Sequence, residues 1–402
     1  MIHHDHDAPA SLGLLLEAGD ETSIDTILDV VRQHMGMDVA FIGEFSEGRR
    51  VFRHVSAASV EPALAVGAGD VLDETYCRRI ADGRLEGAIP DARAHPQLRD
   101  LDVTAELDIR AYVGAPVVFS DGRLYGTLCS FSHRPDPSVT ERDAQLLRVV
   151  ADLVAERLER EAEARDAYLA GAARIDAAVE GDQPEMVFQP IVELDSGQTV
   201  GYEALARFTA EPFRPPDQWF AEAGTVGRAL ALELKAVSVA LGALEHLPAD
   251  VHLALNVSPV TLCSAELGLL LADVPAGRVV VELTEHDQVG DVGEARAAIQ
   301  RLGRLGVAVA SDDTGAGYAG LVQLVELGPT VVKLDRAIVS TIDQDPVRHA
   351  LVAAATAFAR SVGATLVAEG IETEGELEAL RAIGVHHGQG YLLGRPGPLP
   401  IA

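Results

Sequence analysis

From residue 186 onward the chain repeats one alternation: an apolar run of strand length, then a stretch with helical spacing. The strand-like runs are 186–194, 199–208, 251–257, 278–283, 306–312, 330–335, 364–369 and 385–393. Helical stretches fall at about 217–247, 263–272, 291–304, 318–327, 345–362 and 373–383, and Gly306, Gly328, Gly363 and Gly384 stop several elements. Apolar strands joined by helices through short loops predict a parallel β/α architecture. Eight runs are enough to close a barrel, and in such barrels functional side chains gather at the C-terminal strand ends.

That rule selects Glu203, Asn256, Glu282, Asp312 with Asp313, Lys333, Glu369 and Gln389. Each alone reads as a cap or a solvated polar residue; Glu285 could begin a helix, and Asp313 with Gly315 could make a turn. Together they read differently. Five carboxylates at one barrel mouth repel unless cations neutralise them. Oxygen ligands without His or Cys point to hard divalent ions, Mg²⁺ or Mn²⁺. More carboxylates than one ion needs suggest two ions sharing an aspartate, an arrangement suited to phosphodiester hydrolysis.

The length, 402 residues, predicts two domains. With 48% hydrophobic but only 4% aromatic residues, the cores must be built from Ala, Val and Leu. A formal net charge of -30 argues against nucleic acid and anionic membranes as partners. An anionic small substrate needs metal ions and local Arg or Lys to overcome that field. Cys77, Cys129 and Cys263 are odd in number and widely spaced, which fits a reducing cytoplasm, not a disulfide framework or a zinc site. The N-terminus has no apolar signal core, and no run approaches a membrane span. His3, His4 and His6 read as part of a frayed terminus, residues 1–10. The expected location is the cytoplasm.

The first half reads as a helix to about His34, a strand Met37 to Glu44, its hairpin partner Arg50 to Val55, and a loop-rich segment with a short helix from Glu74 to Ala81. Two more strands follow, Ala111 to Val118 and Leu124 to Ser132. This is an α+β order with an antiparallel sheet. ETYCRRI (74–80), IPDARAHP (89–96), AYVGAPV (111–117) and GRLYGTLCSF (122–131) give it a resemblance to a GAF domain, a sensor whose ligand stays unnamed. Cys77 reads as a small half-buried core thiol before a chromophore anchor, and His95 and His133 as loop residues before haem ligands. A long helix from Thr140 to about Val179 links the halves, packed on the sensor or standing as a solvated spacer.

The second half resembles an EAL-domain cyclic-di-GMP phosphodiesterase. The motifs are FQPIV (188–192), EALAR (203–207), LNVSP (255–259), VELTE (281–285), DD-x-G-x-G-Y (312–318), VKLDR (332–336), AEGIET (368–373) and GQGYLLGRP (388–396). The expected organisation is a GAF-like sensor at 11–139, a linking helix at 140–179, and a (β/α)8 TIM-barrel-like EAL domain at 180–402. The resemblance implies hydrolysis of cyclic-di-GMP to linear pGpG with two divalent cations. It implies that Glu203, Asn256, Glu282 and Asp312 hold one ion, and that Asp312 bridges to a second held by Asp313 and Glu369. It places Lys333 beside the attacking water, and Gln189, Leu205, Arg207 and Gln389 against substrate or the second ion's water shell. Glu285, Thr314, Gly315 and Gly317 would steady the loop after Asp313. Thr314 stands where the family usually has a large aromatic, which implies reduced or more conditional activity. A homodimer is expected, and the alternative to catalysis is a receptor that binds cyclic-di-GMP without cutting it.

Overall fold

The computed structural model describes residues 23–59, 62–283, 292–314 (312–314 by backbone alone) and 328–400. It divides into two compact units, Met1–Asp166 and Ala167–Ala402. The expected frayed terminus and the helix at 318–327 lie outside the described residues.

The first unit is a six-stranded antiparallel sheet in the order β3-β2-β1-β6-β5-β4. The strands are β1 (Val39–Ser46), β2 (Arg49–Ala57), β3 (Gly69–Val71), β4 (Ala88–Ile89), β5 (Ala111–Val118) and β6 (Leu124–Ser132). Period-2 alternation sorts its side chains into two cores. Ala40, Ile42, Val113 and Leu128 pack under helix α1 (Ile24–His34) and the first half of a 40-residue helix, Glu141–Glu180. Leu147, Val150 and Val154 of that helix belong to this core, so it packs on the sensor sheet over that stretch. Val39, Phe41, Cys129 and Phe131 face the other way, against helix α2 (Tyr76–Ala81) and the loops that follow, including the short helix α3 (Asp102–Glu106). Gly126 is required by the β1–β6 approach: a Cβ there would lie 1.9 Å from the Gly43 carbonyl oxygen.

The second unit begins with the C-terminal part of the long helix, here α4, whose Ala172, Ile175 and Ala178 pack with Trp219, Val226 and Leu232. Beyond it lies a closed eight-stranded barrel. Its strands are β7 (Glu185–Glu193), β8 (Thr199–Arg207), β9 (His252–Val257), β10 (Val279–Leu283), β11 (Ala308–Thr314), β12 (Val331–Leu334), β13 (Thr365–Ala368) and β14 (His387–Gly388). From β8 round to β14 every neighbouring pair is parallel, but β7 is antiparallel to both β8 and β14. The expected all-parallel barrel is corrected there. A turn of a few residues with Gly197 at φ +73 joins β7 to β8, far shorter than a crossover helix needs.

Helices surround the barrel: α5 (Pro216–Thr225), α6 (Ala229–Leu241), α7 (Pro259–Cys263), α8 (Ala265–Ala272), α9 (Val292–Leu305), α10 (Arg336–Val339), α11 (Pro346–Val362) and α12 (Glu374–Ile383). The expected single helix at 217–247 is broken by Gly227 in the left-handed region, φ +68. The expected strand 385–393 pairs only at His387 and Gly388. After that the chain turns against Ile371, so tightly that a Cβ on Gly390 would lie 2.2 Å from the Ile371 backbone nitrogen and oxygen.

The loop after β13 is clamped by the start of α12. Thr373 and Glu376 form a capping box, and the buried Glu376 carboxylate accepts backbone N–H bonds from Thr341, Glu372 and Thr373 at 2.9–3.0 Å. Burial alone would raise its pKa, but these backbone bonds hold it below the ordinary value. Its contribution is therefore complete above the unfolded glutamate pKa and is lost as pH falls through the lower folded value. We expect Glu376→Ala to destabilise the chain by about 1–3 kcal/mol in urea melts at pH 7, with a smaller deficit near pH 3. A deficit independent of pH would remove the carboxylate from the account.

Candidate active site

Strands from round the barrel deliver the polar side chains of its mouth. Glu203 lies on β8, Glu282 on β10 and Lys333 on β12, each within one to four residues of the strand's C-terminal end; Glu369 directly follows β13. Asn256 on β9 is paired in register with Glu282 on β10, and Gln189 on β7 with Glu203 on β8. Apolar residues on either side hold these strands in the core, so the polar groups are buried as a consequence of closure.

Lys333 is the centre. It is 1% exposed, and its Nζ stands 2.7 Å from Glu282, 2.5 Å from Glu369 and 3.8 Å from Glu203. Glu203 also accepts from Asn256 Nδ2 at 2.8 Å and from Gln389 Nε2 at 2.5 Å. Gln389 donates to Gln189 as well, 3.0 Å, and Gln189 donates to the Gly394 carbonyl at 3.1 Å. Burial would raise the Glu203 pKa, but the Lys333 charge and then the Gln389 and Asn256 bonds hold it below the usual range. Glu203 is thus ionised at neutral pH.

Charge decides what such a site can do. Three carboxylates around one ammonium carry a formal net charge of −2 in a buried place, which favours further cations. The donors are all oxygen, the set preferred by hard divalent ions. Gln389 Oε1 is buried without a hydrogen-bond partner among the described residues, an acceptor suited to a water of such an ion's shell. Among the described residues no three His, Cys, Asp or Glu side chains are grouped so as to hold an ion by themselves. The residues fit divalent cations.

Asp312 and Asp313 lie on β11, placed by backbone. Between the pairs Ser311↔Val332 and Thr314↔Leu334, β11 takes three steps where β12 takes two. The one extra residue is a bulge at the aspartate pair, a distortion often found beside active sites. Thr314 is the last residue of β11. Glu285, Gly315 and Gly317 lie outside the described residues.

Two cavities meet at Leu205. An acidic cleft of about 260 Å³ is lined by Gln189, Glu203, Lys333, Glu369 and Gln389. A more apolar cavity of about 290 Å³ beside it takes in Asn256, Pro216, Phe220, Glu233 and Arg207. Arg207 therefore lines the neighbouring cavity, with Nη1 2.7 Å from the Ala206 carbonyl. Arg336 and Tyr391 line the acidic cleft and were not singled out from sequence. Both stood inside quoted motifs, VKLDR and GQGY, which was the available signal.

A family model for the EAL domain matches residues 172–396, and one for the GAF domain matches 21–158. The chain belongs to the EAL domain family. It is 31% identical over 243 residues to the cyclic di-GMP phosphodiesterase RocR of Pseudomonas aeruginosa, covering 58% of this chain and 62% of RocR. It is 30% identical over 233 residues to MucR of the same organism, a bifunctional diguanylate cyclase/cyclic di-GMP phosphodiesterase, covering 55% of this chain but 34% of MucR. The chain thus spans less than two thirds of these relatives. The solved MucR phosphodiesterase in complex with c-di-GMP is 28% identical and covers 57% of this chain and 98% of that one, with a TM-score of 0.52. Klebsiella pneumoniae BlrP1 with manganese and cyclic-di-GMP is 29% identical over 54% of this chain and 57% of that one, with a TM-score of 0.50.

In this EAL barrel, removing Lys333 strands buried carboxylates. We expect Lys333→Met to cost about 3–5 kcal/mol in urea melts. Without the ammonium, burial pushes the Glu203 pKa up, so the deficit grows from pH 5 to pH 8 as that carboxylate ionises. A variant as stable as the parent at pH 8 would contradict the central role of the ammonium.

Proposed function

We propose that this chain hydrolyses cyclic-di-GMP to linear pGpG, using a phosphodiesterase barrel at 180–402 joined by the helix at 140–179 to a GAF sensor at 11–139. The observation that carries the reading is the buried ring of Glu203, Glu282 and Glu369 around Lys333, with Asn256 and Gln389 bonded to Glu203. Its support from relatives is the naming of RocR as a cyclic di-GMP phosphodiesterase and the nucleotide bound by MucR and BlrP1.

The residues that would hold divalent cations are Glu203, Asn256, Glu282, Asp312, Asp313 and Glu369. Bound there, Mg²⁺ or Mn²⁺ would supply Lewis acidity and lower the pKa of a bound water. The chain's own groups do the rest. Lys333 would offset negative charge as it develops on the phosphoryl oxygens, from a buried position where a fixed charge is worth most. The Gln189–Gln389 pair fixes the Glu203 carboxylate, so the ligand geometry is set before substrate arrives. Asn256 spends its amide N–H on Glu203, which orients its carbonyl oxygen as the atom to offer an ion. Leu205, between the two cavities, and Arg207, on the apolar side, are assigned to the bound dinucleotide, with Arg207 as a phosphate contact. Regulation by the GAF unit, a homodimeric state and a cytoplasmic location complete the reading; among the described residues no helix is long and apolar enough to cross a membrane.

The test is incubation of the full chain with cyclic-di-GMP and Mg²⁺ or Mn²⁺, following pGpG by chromatography. We expect product from the parent and a loss of at least about 10³-fold in Glu203→Ala, as for removal of a metal ligand central to the chemistry. Unchanged turnover in that variant would refute the assignment. Tight binding of intact cyclic-di-GMP with no product in either metal would replace it with a receptor.

A further inference from the structure

The sensor unit buries a second reactive cluster that the barrel chemistry leaves unused. Cys77 on α2 and Cys129 on β6 are 52 positions apart in the chain, yet their sulfurs lie 3.8 Å apart. Both are free thiols at 0% exposure, so the half-buried thiol expected at Cys77 is corrected to a fully buried one. Gly114 stands opposite Cys129 on β5, and a Cβ there would come within 3.4 Å of Cys129 Sγ and 2.8 Å of Ile80 Cδ1. The glycine leaves the room the sulfurs occupy.

Arg50 completes the cluster. It is 2% exposed, its guanidinium sits 4.1 Å from the Phe52 ring centroid, and its Nη1 is 3.7 Å from Cys77 Sγ. Its ion-pair partner is Asp70, on the three-residue edge strand β3. A buried guanidinium aimed at a sulfur favours the thiolate over the thiol. Burial alone would push the Cys77 pKa up, but the Cys129 hydrogen bond and the Arg50 charge bring it well below the usual value. Burial and the adjacent Cys77 sulfur push Cys129 well up. One sulfur is suited to attack and the other to resolve.

We propose that Cys77, Cys129 and Arg50 form a peroxide-oxidisable site that closes an intramolecular disulfide between α2 and β6. The Cys77 thiolate attacks one peroxide oxygen. The S–O bond forms, the O–O bond breaks, and hydroxide leaves to take up the proton that Cys77 gave on ionising. Cys129 then attacks the sulfenic sulfur; the S–S bond forms, the S–O bond breaks, and hydroxide departs with the Cys129 proton as water. Two thiols and one hydrogen peroxide give one disulfide and two waters. The sulfurs need to close from 3.8 Å to about 2.05 Å, by side-chain rotation and a small shift of a six-residue helix. The short edge strand β3 pairs with β2 alone and carries Asp70, so peroxide entry in this proposal requires local opening at β3 and the Arg50–Asp70 pair.

The experiment treats the folded full chain with hydrogen peroxide, blocks remaining thiols with iodoacetamide, and maps non-reduced peptides by mass spectrometry. We expect a Cys77–Cys129 linked pair two hydrogens lighter than its separate peptides, reversed by dithiothreitol, with Cys263 alkylated. Cys129→Ser should give no link and leave a dimedone-trappable sulfenic acid on Cys77. Arg50→Gln should slow linkage by about tenfold and Arg50→Lys by less, since the charge is kept. Circular dichroism of each variant confirms that it is folded. A link that forms only after unfolding, or at the parent rate in folded Arg50→Gln, would overturn the proposal.

Discussion

The barrel depends on one ammonium in the wrong place for an ordinary lysine. Lys333 is as buried as the leucines around it, and a lone charge at that depth would cost several kcal/mol. Glu282 and Glu369 at hydrogen-bond distance, with Glu203 just beyond, make the position tenable. The same three carboxylates repel one another, and their formal excess of charge over the ammonium favours further cations. Stability and chemistry are thus set by one imbalance. Only a closed barrel can impose it, because the four groups come from β8, β10, β12 and the end of β13 and share no local stretch of chain.

Much of this was legible in sequence, because strands buried on both faces give long apolar runs and the polar residue that ends each run stands out. Glu203, Glu282, Lys333, Glu369, Asn256 and Gln389 were found that way, and the structure brings them together. What was not legible depended on direction and register. An apolar run does not reveal which way its strand points, so the antiparallel β7 went unread, although the short link through Gly197 carried the hint. Arg207, expected against the substrate phosphate, lies four residues beyond Glu203 on the same face of β8 and lines the neighbouring cavity, a division its motif does not reveal. The contact between Cys77 and Cys129 was invisible for the same kind of reason: chain separation says nothing about which sheet face two residues share.

The sensor sheet shows how much that face assignment matters. One face carries Ala40, Ile42, Val113 and Leu128 under helices α1 and α4, a mainly aliphatic core. The other carries Phe41, Tyr112, Cys129 and the buried Arg50. A guanidinium needs either a carboxylate or a soft, polarisable surround, and it has both in Asp70 and in the ring of Phe52 with the Cys77 sulfur. The two faces of one sheet therefore do different work, one fixing the fold and the other holding its reactive groups. His95 and His133, by contrast, resolve as loop residues: His95 Nδ1 accepts from the Gln97 amide, and His133 pairs with Asp38.

The reversed strand is what finishes the barrel site. Running β7 against β8 places Gln189 directly opposite Glu203, and closing β14 onto the far side of β7 brings Gln389 to the same point. Gln389 then donates both to Gln189 and to the carboxylate, so Glu203 is held from the side that no parallel neighbour reaches. A parallel β7 would need a crossover helix before β8 and would shift this register. It would leave Glu203 with Asn256 and Lys333 but without the amide pair. The departure from an all-parallel barrel is accordingly the feature that fixes the orientation of its central carboxylate.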